Sequence, residues 1–202
     1  MKTILLMLVL SLTGLADAAV RDVTAADDLQ QAIDRAADGD TLRLAAADYI
    51  ARPQELVEPL CGNCLDPQTE VTATTGFVIS GKRLVLVGSG AESTRLLTRA
   101  GYGVYIEDSE NTELRHLTVT DGRRDPDGRA TDAGIVVRRS RVLIEDCQIS
   151  ENTHRLDTVV VGIGGIFGRE GADVVLRNCR IIDNGWDGVA LYRGASAHVS
   201  DC

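Results

Sequence analysis

The chain has 202 residues, a formal net charge of −9 and only 3% aromatic residues. Its length allows one domain with a substantial core, and its 20 glycines suit tightly turning coils better than a globular sandwich. The acidic balance argues against nucleic acid and anionic membrane as partners.

Residues 1–18 have the pattern of an export signal. Lys2 precedes the apolar stretch Ile4–Leu15, and a small-x-small cleavage sequence follows at positions 16–18. Because the apolar run is too short to span a membrane comfortably, an uncleaved anchor is not expected. The sequence therefore predicts a secreted or periplasmic protein whose mature chain, 19–202, has no membrane span.

The next segment, about 23–50, predicts an N-terminal cap built on an amphipathic helix. Thr24–Asp27 is a candidate capping box, and apolar residues follow it at helical spacing: Leu29, Ala32, Ile33 and Ala36. Asp38–Asp40 is expected to end this helix, and Thr41–Leu44 is predicted to be the first strand. Such a cap covers the apolar end of the first coil and blocks pairing at its edge.

Segment 52–75 is predicted to be a proline-containing loop, and it holds Cys61 and Cys64 in CxxC spacing. This spacing is typical of a redox pair, of half a zinc site or of a tight disulfide. No second CxxC or pair of histidines completes a zinc site, and no thioredoxin-like pattern surrounds the motif. An oxidising compartment favours a structural disulfide, and reactive thiols and a metal site are the alternatives.

From residue 76 to residue 202 the chain consists of repeats. Four of them begin at Gly103, Gly134, Gly165 and Gly188, so their starts are 31, 31 and 23 residues apart. Each repeat holds short runs of β-branched residues separated by Gly, Asp, Asn and Ser turns, without a helix-length pattern. Self-similarity at this period indicates a stacked solenoid, in which each unit pairs its strands in parallel with the next.

Alignment of the repeats predicts columns of side chains. The inward columns are Val104, Ile135, Ile166 and Val189; Leu114, Ile144, Leu176 and Val199; and Leu117, Cys147, Cys179 and Cys202. The cysteines are interpreted as small apolar filler, with a disulfide between adjacent rungs as the alternative. Asn152 and Asn184 align at a turn, where stacked amides hydrogen-bond along the coil axis. An outer column carries side chains of alternating charge: Asp108, Arg139, Glu170 and Arg193. It predicts weak, solvated ion pairs between neighbouring coils.

These repeats resemble those of right-handed parallel β-helix proteins, the pectin-lyase-like superfamily, over roughly residues 23–202. The resemblance implies an all-β fold, a single-stranded right-handed parallel β-helix solenoid with an N-terminal amphipathic capping helix. It does not select an activity, because the superfamily includes polysaccharide lyases, glycoside hydrolases, esterases, uronan epimerases, phage tailspikes and adhesins. The sequence stops at Cys202 within a repeat, so further chain or a partner subunit is expected to cover the last coil.

Two insertions, 123–133 and 153–164, occupy equivalent corners of consecutive coils and are predicted to stack as a wall beside the shorter coil at 185–188. Trp186 is the only Trp of the chain. On such a ledge a Trp would stack on a sugar face, and Arg and Asp side chains would bind hydroxyls or a carboxylate. The candidate substrate-binding residues are Arg123, Arg124, Asp125, Asp127, Arg129, His154, Arg155, Asp157, Trp186 and Asp187.

The sequence leaves the chemistry of this ledge open. A lyase or epimerase would use Arg or calcium to neutralise a uronate carboxylate, with His154 or an Arg as the base. A hydrolase would use two carboxylates at a defined separation. Calcium is a candidate cofactor, with Asp125, Asp127 and Asp132 as oxygen ligands, but the sequence assigns no cofactor and no catalytic residue. The leading hypothesis is a protein that binds or acts on polysaccharide. The alternatives are a non-catalytic structural or adhesive β-helix and a thiol-redox protein.

Overall fold

A computed structural model describes residues 18–202. The predicted export signal lies, apart from its last residue, outside the described residues. Residues 18–202 form one helix, α1 (Leu29–Arg35), and eighteen strands in three sheets. No helix within this range is long and apolar enough to cross a membrane.

The three sheets run along the whole length of the coil. Sheet A contains β1 (Val20–Val23), β2 (Thr41–Leu44), β6 (Val85–Val87), β9 (Glu110–Arg115), β12 (Arg141–Glu145), β15 (Asp173–Arg177) and β18 (Ser196–Ser200). Sheet B contains β3 (Asp48–Ile50), β7 (Arg95–Leu97), β10 (Thr118–Thr120), β13 (Gln148–Ser150) and β16 (Arg180–Ile182). Sheet C contains β4 (Gln54–Glu58), β5 (Val71–Ser80), β8 (Tyr102–Glu107), β11 (Ala133–Arg138), β14 (Gly164–Arg169) and β17 (Val189–Leu191).

Each complete coil passes through sheet C, then sheet A, then sheet B, and every strand pairs in parallel with the equivalent strand of the next coil. In sheet C, Ile135 is in register with Val104 on one side and Ile166 on the other. In sheet A, Ile144 lies between Leu114 and Leu176 in the same way. These registers confirm the parallel β-helix and the predicted inward columns of sheets C and A, except that Val199, on the last rung of the sheet A column, is 57% exposed.

The interior of the coil is filled with aliphatic side chains that are removed from solvent, such as Ile135 and Ile144 at 0% exposure. Burying each side chain of this size contributes roughly 1.5–3 kcal/mol. Cys147 and Cys179 are buried free thiols within this core, as the interpretation of filler predicted. Cys202 is exposed on the last rung, and its Sγ accepts a hydrogen bond from the Cys179 amide at 3.3 Å.

The turn after sheet C carries the predicted column of alternating charge, and the structure corrects this prediction in part. Arg139 donates two hydrogen bonds of 2.7 Å to the Asp108 carboxylate, so the first rung pairs as expected. Glu170 instead faces Arg138, whose Nε approaches Glu170 Oε2 to 3.0 Å without hydrogen-bond geometry. Arg193 donates to the carbonyl of Cys64. The predicted pairing stops after its first rung because Glu170 lies against Arg138 and Arg169 and Arg193 bonds the segment 52–75 instead.

The N-terminal cap differs from its prediction in two details. Asp28, rather than Thr24, caps α1, and its side chain accepts the Gln31 amide at 3.0 Å. Thr24 instead bonds the Asp27 carboxylate and closes the turn before the helix. Strand β1 precedes the helix and pairs with β2, so Thr41–Leu44 is the second strand and not the first. The capping helix itself is confirmed.

Segment 52–75 is not simply a loop, which corrects the prediction. β4 pairs antiparallel with the first half of β5, and the second half of β5 pairs in parallel with β8. We call this hairpin, residues 54–75, the flap. Its connection contains the disulfide between Cys61 and Cys64, which confirms the favoured interpretation of the CxxC motif. Where β4 leaves the edge of β5, the Gln30 amide bonds both the N–H and the carbonyl of Val78, which blocks further pairing there.

Candidate functional site

The corner between sheets B and C is built by a repeated turn. Asp121, Glu151 and Asp183 each adopt positive φ, at 59°, 57° and 52°, at the same place in three consecutive coils. Asn152 then ties these coils together. Its Oδ1 accepts the Gly122 amide, and its Nδ2 donates to Asn184 Oδ1 at 2.8 Å. The predicted asparagine ladder is therefore present, and residues that follow it emerge side by side at a spacing of about 4.8 Å.

The two insertions pack against each other at this corner, as predicted. Arg124 Nε donates to the Val161 carbonyl at 2.9 Å, and the Arg124 amide donates to His154 Nδ1 at 3.3 Å. A Cβ placed on Gly128 would lie 3.7 Å from Val159 Cγ1, so the tips of the insertions are also in contact. We call 123–133 the first insertion and 153–164 the second insertion, and together they form the wall.

Two of the predicted binding residues are enclosed inside the wall. The side chains of Arg124 and Asp132 form an ion pair, and both are 0% exposed. Arg124 also donates to the carbonyls of Ala130 and Gly128. Asp125 accepts the Thr74 amide at 2.7 Å and the Thr74 hydroxyl at 2.8 Å. These contacts fasten the first insertion to the flap and leave Arg124 and Asp125 without a face for a ligand.

Asp127 and Arg129 bind each other at the tip of the first insertion. Asp127 accepts Arg129 Nε at 2.9 Å and the Thr72 amide at 3.1 Å, and the Arg129 guanidinium holds the pKa of Asp127 down at about 2. The carboxylate oxygens of Asp125 and Asp127 thus accept hydrogen bonds from the protein itself. Within residues 18–202 no three His, Cys, Asp or Glu side chains form a group suited to a metal ion. The calcium hypothesis therefore gains no support from this geometry.

The other predicted residues form the exposed part of the corner: Arg123, His154, Arg155, Asp157, Trp186 and Asp187. Trp186 is 46% exposed on the third coil of the corner. The amide of Gly185, just before it, donates to the Asn152 carbonyl, which places Trp186 beside the start of the second insertion. We call these six residues the exposed corner. It combines one aromatic face with cationic and acidic side chains open to solvent.

Comparison with known proteins agrees with the architecture. A family model described as "Right handed beta helix region" matches residues 71–202. The chain belongs to the right-handed β-helix family. Searches of curated proteins and of solved structures gave no match. Family membership fixes the fold of this β-helix, and any activity has to be argued from its side chains.

Sequence reasoning missed a second buried cluster, which lies on the outer face of sheet C beneath the flap. Its apolar members are Cys61, Val71, Ala73, Tyr102, Tyr105, Ala130, Ala133, Val136 and Phe167. At its centre the Arg169 side chain is 0% exposed and holds the Glu58 carboxylate with both guanidinium nitrogens, at 2.7 and 3.2 Å. Tyr102 also donates to Glu58, and burial raises the pKa of the Tyr102 hydroxyl.

A signal for this cluster was present in the repeat alignment. Glu107, Arg138 and Arg169 occupy the same register position in consecutive strands of sheet C. This column lies one residue before the predicted outer column, which begins at Asp108. Its charged members lie on the face of the sheet rather than at the turn. What the repeats could not supply is the covering element, because Glu58 comes from the flap, 111 residues away from Arg169.

The buried cluster around Arg169 is closed off from solvent by the flap. Gly62 packs directly on the Arg169 guanidinium, and a Cβ there would collide with it. The Leu60 carbonyl accepts Arg169 Nη2 at 3.0 Å from the same loop. Although the cluster concentrates charge, it has no face for a ligand, and its contacts hold the flap onto sheet C. The exposed corner is therefore the better candidate site.

Proposed function

We propose that this β-helix is an exported protein that binds polysaccharide at the exposed corner, with Trp186 as the stacking platform. The observation that carries the proposal is a half-exposed Trp at the same corner of the coil that carries exposed arginines on the two preceding coils. A flat indole face suits the apolar face of a sugar ring, and the polar groups around it suit the ring hydroxyls. The assignment to an exported protein depends on the pattern of residues 1–18 alone.

A sugar that carries a carboxylate fits the exposed corner best. Arg123 and Arg155 are exposed, and among residues 18–202 neither guanidinium has a hydrogen-bonded or ion-paired partner. Arginine binds carboxylates through two parallel hydrogen bonds, which adds both energy and orientation. Because the chain has a net charge of −9, long-range attraction of a polyuronate is not expected, and these local arginines have to supply the affinity.

If the protein is an enzyme, elimination or epimerisation of a uronate suits the corner better than hydrolysis. Those reactions need a cation at the carboxylate and a base for the neighbouring carbon, and Arg123, Arg155 and His154 have side chains open to solvent. A hydrolase needs two carboxyl groups facing the bond from opposite sides. Asp125 and Asp132, which lie close together, are enclosed by the wall and the flap, so a hydrolase would have to use the exposed Asp157 and Asp187.

A glycan array and a polyuronate turnover assay test the proposal with the Trp186→Ala variant. We expect binding of at least one uronate-containing glycan by the unaltered chain and a loss of about tenfold or more in the variant, by analogy with nucleobases, whose stacking on an aromatic side chain contributes about 1–3 kcal/mol. Leu65→Ala is the matched control, since Leu65 is an exposed apolar residue on the flap, away from the corner.

The outcomes separate the candidate functions. Turnover that appears as a new unsaturated uronate, and that is lost with Trp186, would identify a lyase. Binding without turnover, lost in the same variant, would identify a carbohydrate-binding protein. No binding and no turnover in a folded chain, or equal binding by both variants, would reject the corner as the site and favour the structural or adhesive alternative.

A further inference from the structure

Asp125 and Asp132 bring two buried carboxyl groups together above Gly101. They are 4% and 1% exposed. A Cβ built on Gly101 would collide with both Asp125 Oδ2 and Asp132 Oδ1, so these two oxygens face the same small space. Only a residue without a side chain at position 101 leaves room for the pair. The carboxyls come from the two ends of the first insertion and meet where it crosses the flap.

The hydrogen bonds around the pair leave one oxygen without a donor. Asp132 Oδ2 accepts the Asp125 amide at 2.7 Å and also pairs with Arg124. Asp125 uses both of its oxygens on Thr74. Asp132 Oδ1 is buried and has no hydrogen-bond partner among the described residues. A buried carboxylate oxygen that lacks a donor is unfavourable, and one additional proton placed between the two carboxyl groups would supply that donor.

The charges at the site are balanced only if one of the two carboxyl groups is protonated. Arg124 is the cation that contacts the pair, and it faces two carboxylates. From the flap the pair meets only the neutral amide and hydroxyl of Thr74, and from the Gly101 corner it meets backbone. From the second insertion, His154 accepts the Arg124 amide through Nδ1 and makes no hydrogen bond to the pair. Asp127 and Arg129 neutralise each other further along the first insertion.

We propose that Asp125 and Asp132 share one proton, carried on Asp132 Oδ1 and donated to Asp125 Oδ2, and that this proton latches the first insertion to the flap. When it is bound, all four carboxyl oxygens of the pair have partners and the charge of Arg124 is balanced. When it is lost, two like charges face each other in a buried site. The hold of Asp125 on Thr74 is then weakened, and the first insertion is released from the flap.

The direction of the pH dependence follows from the burial of the pair. Burial, followed by the charge of Asp125, raises the pKa of Asp132 to about 7, and burial also raises the pKa of Asp125. In the unfolded chain an aspartate has a pKa of about 3.9. The folded state therefore keeps a proton that the unfolded state has released. The stability contributed by the latch is fully present below about pH 4 and is lost as the pH rises toward about 7.

Denaturant unfolding between pH 5 and pH 8 tests the latch. Over the range in which only the folded state holds the proton, the folding equilibrium constant of the unaltered chain should fall by up to about tenfold per pH unit because of this site. Asp132→Asn should lack this component of the fall, because an asparagine amide can donate to Asp125 permanently while its carbonyl replaces Asp132 Oδ2. Asp127→Asn is the matched control and should keep the slope, since Asp127 lies in the same insertion with a lowered pKa.

A second measurement does not depend on how the variants fold. In the unaltered chain with ¹³C-labelled aspartate, one side-chain carboxyl resonance should titrate above pH 6. Amide hydrogen exchange of Thr74 and of residues 123–133 should increase beyond its intrinsic pH dependence over the same range. Equal pH slopes for the unaltered chain and Asp132→Asn, or no aspartate that titrates above pH 6, would overturn the proposal. Neither result depends on whether the exposed corner binds a glycan.

Discussion

The inside of the coil and the outer face of sheet C are both fully buried, yet they are built in opposite ways. The inside is a stack of aliphatic rungs in which each residue contacts its equivalents one coil away. The outer face is covered by the flap and contains an Arg–Glu pair, two tyrosines and a disulfide. The interior thus depends on repetition, whereas the outer cluster depends on one contact between segments that are far apart in the chain.

This difference predicts how the two regions respond to substitution. Substitutions in the aliphatic rungs lower stability by leaving cavities, and the size of the loss depends on how far the neighbouring side chains can close the cavity. A buried ion pair behaves differently, because removing one partner leaves a charge without compensation, whereas removing both leaves an apolar site. The following substitutions test this contrast, beginning with the largest expected effect.

Glu58→Ala should cost about 3–5 kcal/mol, since it leaves the buried Arg169 with only the longer contact to Glu170 at 3.3 Å. The double variant Glu58→Leu, Arg169→Met should recover at least half of that loss, because it removes both charges and fills the space. Denaturant unfolding of Glu58→Leu, of Arg169→Met and of the double variant measures the coupling. Glu55→Ala, on the same strand but exposed, is the control and should cost little. Additive losses would mean that the pair does not act as a unit.

Within the coil, Ile144→Ala should destabilise the protein by about 3 kcal/mol through the cavity that it leaves. The next residue on the same strand, Leu143, points outward and is only partly buried. Leu143→Ala removes a side chain of the same size from the other face and should cost less than about 1 kcal/mol. Thermal unfolding of the two variants compares them directly. Similar losses at both positions would contradict the assignment of the inner and outer faces.

The same contrast explains what the sequence could and could not predict. The inner columns were predictable because each repeats at a fixed position, as Val104, Ile135 and Ile166 do, and a coil can bury its apolar runs in only one way. The side-by-side packing of the insertions followed from their equivalent positions in consecutive coils. Neither inference required knowledge of contacts between distant segments.

The flap and the buried part of the corner could not be predicted in that way. Segment 52–75 has no counterpart in the repeats, so its pairing with β5 and the contact of Glu58 with Arg169 had no periodic signal. The sequence predicts Arg124 and Asp125 as binding residues because Arg and Asp side chains can bind sugar hydroxyls or a carboxylate. Their burial depends on Thr74 of the flap and on the bare backbone at Gly101. The charged residues of the insertions therefore indicated where the corner lies. Which of those residues are exposed to solvent depends on tertiary contacts that the sequence does not show.

The disulfide provides the smallest of these effects and the sharpest test of the flap. Closing a loop this short contributes about 2 kcal/mol in the chain-entropy account, and the loop also holds Gly62 and Leu60 against Arg169. Reductant should therefore lower the unfolding temperature of the unaltered chain and leave the Cys61→Ser, Cys64→Ser variant unchanged. Hydrogen exchange should increase in the flap and around Arg169, while the aliphatic rungs stay protected. If reductant shifted both proteins equally, the shift would not come from the disulfide between Cys61 and Cys64. Exchange that increased in the rungs as well would show that the outer cluster and the coil interior unfold as one unit.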